Sequence, residues 1–71
     1  MNKPTTFESF CYKKMNEGYL YRLRRAAKLL DAGHSPETVS NRIAGPQVLI
    51  GIWLFFACNY MVKTGVRPSN D

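Results

Sequence analysis

His34, Cys11 and Cys58 are the side chains best suited to bind a transition metal or to act as nucleophiles, and their placement serves neither use. One histidine and two cysteines fall short of the four nitrogen and sulfur ligands that close a structural zinc site. His34 stands in a predicted turn with no carboxylate or cysteine at ligand spacing, which reads as a solvated loop residue. The sequence has no phosphate-cradling glycine loop, no paired carboxylates and no nucleophile elbow. The expectation is a non-enzyme with neither cofactor nor metal. Cys11 and Cys58 fall in segments expected to lie apart, so no disulfide is expected, and Cys58 reads as a small packing residue.

What remains is cationic chemistry. Arg22, Arg24, Arg25 and Lys28 form the most basic patch, and Arg42 adds a further charge in a chain of formal net charge +5. A basic helix suits either nucleic acid or anionic lipid. No zinc finger, base-stacking aromatic motif or dimerising zipper accompanies the patch, which argues against nucleic acid. The expected ligand of these five residues is therefore an anionic lipid headgroup, with Tyr19, Leu20, Tyr21 and Leu23 dipping into the interface beside it. The alternative is that the apolar face of the same helix packs on a larger protein partner.

The element that carries the patch is predicted from periodicity. Tyr12, Met15, Tyr19, Leu23, Ala26 and Leu30 recur at steps of three and four, with Lys14, Glu17, Arg24, Lys28 and Asp31 on the other side. Thr5 and Glu8 have the form of a capping box ahead of this amphipathic helix, and Phe7 opens its pattern. Gly18 interrupts it at a cost of about 1 kcal/mol relative to alanine, so one continuous rod and two helices bending at Gly18 both fit. Gly33 supplies the stop as a left-handed cap. Ser35-Pro36-Glu37 then predicts a fresh start, with serine capping, proline in the first turn and a carboxylate at the positive dipole end, for a short helix Pro36–Ala44.

Residues 43–62 carry no charge, although hydrophobic residues make up only 45% of the whole chain. Twenty residues at about 1.5 Å each cover roughly 30 Å, the thickness of a hydrocarbon core. The fold expected is all-α: a basic amphipathic arm over 1–33, a short connecting helix and turn over 34–45, a single transmembrane helix over 46–62 beginning near Pro46, and a short tail over 63–71. No independent globular core is expected, because a chain of 71 residues buries little apolar surface. The excess of Lys and Arg before the segment places the arm on the inner side and the tail opposite.

Helices in lipid associate through small residues. Ala44, Gly51, Cys58 and Gly65 fall seven apart, and with Gln47, Leu54 and Met61 they form a stripe at the spacing of a left-handed helix seam. Asn59, an amide expected deep in the segment, calls for a partner on a neighbouring helix. The helix-packing residues are accordingly Ala44, Gln47, Gly51, Leu54, Cys58, Asn59 and Met61.

A polar, tyrosine-rich helix over 7–30, a loop over 31–45, a span over 46–62 and a brief tail give a layout that resembles the small single-span supernumerary subunits of mitochondrial inner-membrane complexes, the respiratory oxidoreductases and the rotary ATP synthase. The glutamate near paired glycines of the synthase membrane subunits has no counterpart here, where Asn59 is the polar residue of the segment. The resemblance implies a non-catalytic accessory subunit, an uncleaved internal targeting signal, an arm in the matrix, a tail in the intermembrane space, and cardiolipin near the basic arm. A bacterial or thylakoid membrane, with the N-terminus cytoplasmic or stromal, is the alternative location. The alternative function is a freestanding single-pass or tail-anchored regulator that recruits a soluble partner.

Overall fold

Gly18 adopts φ +77°, a conformation closed to a continuing helix of L-residues, so the first described helix does not run back through it. The computed structural model describes residues 18–68. The capping box at Thr5 and Glu8, the start at Phe7, Cys11 and the pattern through Tyr12 and Met15 lie outside the described residues. Helix α1 spans Leu20–Asp31. It buries Leu23, Ala26, Ala27 and Leu30, one stripe at three- and four-residue steps. Its stop is the one expected from Gly33: the His34 N–H donates to the Leu29 carbonyl at 3.1 Å and the Gly33 N–H to that of Leu30 at 3.0 Å. That paired arrangement satisfies the last carbonyls of a helix and needs a positive φ at its glycine, here +104°.

Helix α2 spans Pro36–Ala44 and starts as its sequence dictates. The Thr38 N–H donates to Ser35 Oγ at 3.2 Å, Pro36 occupies the first turn, and Glu37 sits at the positive end of the helix dipole. Ser40 is buried, and its hydroxyl donates to the Glu37 carbonyl at 3.0 Å. Gly45, at φ +59° and ψ −128°, ends the helix in a conformation only glycine adopts readily.

Helix α3 spans Val48–Thr64. Pro46 lies in the turn before it and not in its first turn, and Gly65 in the left-handed region closes it. The helix is 17 residues long, roughly 25 Å, which is shorter than a typical hydrocarbon core. No helix of the described residues is long and apolar enough to cross a membrane, which overturns the single transmembrane helix expected over 46–62.

The physical reason is a reversal at Gly45-Pro46. It folds α3 back on the first two helices, and α3 then spends one face on the chain's own interior: Leu54, Ala57, Cys58 and Met61 are buried. Leu23, Ala26, Ala27 and Leu30 of α1, Val39 of α2, and Ala57, Cys58 and Met61 of α3 form one apolar cluster. The chain therefore has a core of its own, contrary to the expectation that it would have none. All three helices pack on one another, α2 against α3 most extensively, within 35 × 23 × 20 Å. Ala26 and Ala27 of α1 and Ala57 and Cys58 of α3 are the small residues of this cluster, and they are buried with little side-chain entropy to lose.

Candidate interaction surfaces

The stripe assigned to helix packing divides in the structure. Leu54, Cys58 and Met61 are fully buried, and Ala44 is nearly so, with the chain's own helices around them. Gly51 faces Ala44: a methyl group built on Gly51 would sit 3.4 Å from the Ala44 Cβ. Gln47 is exposed at the N-terminus of α3, where its carbonyl accepts from the Gly51 N–H at 2.9 Å. Asn59 is also exposed, and its Nδ2 donates to the Phe55 carbonyl one turn earlier at 2.9 Å. Gly65 serves as the left-handed cap of α3, its N–H donating to the Met61 carbonyl at 2.8 Å. Burial pushes the Cys58 thiol up to about 11, so it is neutral and weakly nucleophilic at physiological pH.

The other face of α3 is apolar and wet. Leu49 is 81% exposed and Phe56 67%, with Ile52 between them one helical turn from each. Val48, Phe55 and Val62 flank this line, and the rings of Phe55 and Phe56 lie 6.3 Å apart. Asn59 and Lys63 continue the line toward the C-terminus, so it grades from hydrocarbon to amide to cation. A contiguous apolar patch on a small unit marks a binding surface more often than a scatter of single residues does. The hydropathy that suggested a span is the same signal, but only half of it is turned outward.

The cations assigned to headgroup binding also separate. Arg22, half-buried, lies over the Tyr19 ring at 5.5 Å, and Tyr19 in turn packs on Trp53 of α3 with ring centroids 4.8 Å apart. That column ties α1 to α3 at their seam. Arg24 is half-buried, and Arg42 is exposed near the end of α2. Arg25 and Lys28 are exposed on α1, and the Arg25 guanidinium lies 5.9 Å from the ring centroid of Tyr21.

Sequence reasoning missed one polar contact, between Asp31 and Arg67. Arg67 reaches Asp31 Oδ1 through Nε at 3.1 Å and Nη2 at 2.9 Å, while its Nη1 donates to the Met61 carbonyl at 2.8 Å. The residues that the spanning reading sends to the far side of a bilayer thus return to the C-terminal end of α1. No group of three or more His, Cys, Asp or Glu side chains able to hold a metal occurs among the described residues. These surfaces offer apolar area and fixed positive charge, the means of binding. In comparison with known proteins no family model matches the chain, and no curated protein or solved structure is significantly similar to it.

Proposed function

We propose that this chain is a non-catalytic accessory unit of a larger assembly, held in place by the outer face of α3. The observation that carries the reading is the continuous exposed line Leu49, Ile52 and Phe56 with its apolar flanks. Burying a Leu, Ile or Phe side chain contributes roughly 1.5–3 kcal/mol, so these three alone would supply several kcal/mol on docking. Such a face fits an apolar groove on a partner subunit, in the manner of an amphipathic helix presented by a preformed scaffold. The described helices do not take the single-span arrangement of the supernumerary subunits, so support for the accessory role comes from this exposed face and not from that layout.

Native isolation of the full chain tests this. The wild-type chain should migrate in a large particle. Leu49→Ser with Phe56→Ser should release it as a small folded species of unchanged helicity. A wild-type chain that is solitary and monodisperse in its native extract would overturn the proposal.

A further inference from the structure

The outer face of α1 is a second surface, distinct from that of α3. At 3.6 residues per turn, Tyr21, Arg25 and Lys28 centre on the line opposite Leu23, Ala26, Ala27 and Leu30, and all three are exposed. The core-facing stripes of α1 and α3 meet in one cluster, so their outer lines diverge around it. A flat partner that receives Leu49 and Phe56 does not also receive Arg25 and Lys28.

Charge is one-sided here. Helix α1 carries Arg22, Arg24, Arg25 and Lys28 against a single carboxylate, Asp31, which Arg67 engages. Arg22 lies over the Tyr19 ring and Arg24 is half-buried, so Arg25 and Lys28 are the exposed pair. Beside them Tyr21 is 68% exposed, an amphipathic ring within cation–π range of Arg25. Two cations one turn apart around an exposed tyrosine match an anionic bilayer surface: the ring enters the headgroup layer while the cations meet phosphate. A bilayer front takes the ring and both cations together across one exposed helix face, with no complementary acidic groove required.

We propose that Tyr21, Arg25 and Lys28 dock the unit on an anionic membrane surface, peripherally, while α3 holds its protein partner. The chain is then a bridge between an assembly and the lipid around it. The bridge rests on the accessory-unit reading; the lipid contact stands separately.

The test is flotation of the purified full chain with vesicles of phosphatidylcholine alone or phosphatidylcholine mixed with cardiolipin. The chain should float with the mixed vesicles, release in high salt, and stay behind with phosphatidylcholine alone. Arg25→Gln with Lys28→Gln should weaken flotation roughly thirtyfold, about fivefold per cation, at unchanged helicity. Tyr21→Ser should weaken it further, whereas Leu49→Ser with Phe56→Ser should leave it intact while abolishing the native particle. Equal binding to both vesicle types, no binding to either, or binding lost in the α3 variant but kept in the α1 variant would each overturn the lipid contact. A solitary chain that still floats in this charge-dependent way would overturn only the accessory reading. If the α1 variant loses a protein subunit from the particle with vesicle binding unchanged, an acidic protein is the partner and the proposal fails.

Discussion

Arg67 donates two hydrogen bonds to one carboxylate oxygen of Asp31, 36 positions away in sequence, and a third to the Met61 carbonyl. One guanidinium thus joins the C-terminal ends of α1 and α3. It also offsets a carboxylate at the negative end of the α1 dipole and gives the Met61 carbonyl, which already accepts from the Gly65 N–H, a second donor.

Because Asp31 is largely exposed, the ion pair itself contributes less than about 1 kcal/mol. Arg67→Ala also removes the donor to Met61, so it should destabilise by about 1 kcal/mol, and Asp31→Asn by about half that. Urea unfolding of both single variants and the double variant checks this. A coupling near zero would show that Arg67 acts on the α3 terminus alone.

Gly51 lies inside α3 against Ala44 with ordinary van der Waals space for one methyl group. Gly51→Ala should therefore stabilise by up to about 1 kcal/mol through helix propensity. Gly51→Leu should instead force α2 and α3 apart and cost about 1–3 kcal/mol. Thermal unfolding of the isolated chain reads both signs, and a neutral leucine would show that the Ala44 contact is loose.

The Cys58 thiol, raised from 9.0 to about 11, is held neutral by burial. Its unfolded-state value is the lower one, so this contribution to stability is complete below about pH 9 and is lost as pH rises toward 11. The loss is of order 2 kcal/mol at 1.36 kcal/mol per unit. Cys58→Ala should flatten the alkaline limb of the stability profile relative to wild type. Labelling at Cys58, read by mass spectrometry, should be slow at neutral pH and accelerate only with denaturant.

Ser35 is an exposed residue with a local duty, accepting the Thr38 N–H. Ser35→Ala should cost about 1 kcal/mol, and Ser35→Asp should restore most of it, since either side chain can accept the same N–H. Both are measurable by chemical denaturation. An alanine variant as stable as wild type would show that α2 is fixed by its packing on α3 and not by its cap.

Elements set by local chemistry were legible in the sequence. Gly33 announces a stop because its φ is closed to most other residues, and Ser35-Pro36 announces a start because each side chain acts within one turn. The packing stripe of Leu54, Cys58 and Met61 could be seen as a stripe, since period alone reveals it. Its partner could not, because small residues at helical spacing suit a neighbouring chain and a neighbouring segment equally. The span failed for a related reason. Hydropathy sums over a helix and is blind to which half of its apolar surface the same molecule covers. Asp31 and Arg67 were beyond reach altogether: their meeting depends on the reversal at Gly45-Pro46, and no periodicity within either segment encodes it.

Trp53 is the chain's single tryptophan, and it packs against Tyr19 where α1 meets α3. Its emission consequently has one source and one address. A change in its wavelength or quenching reports whether the first helix is seated on the last, so the opening and closing of this unit can be followed optically with no dye attached.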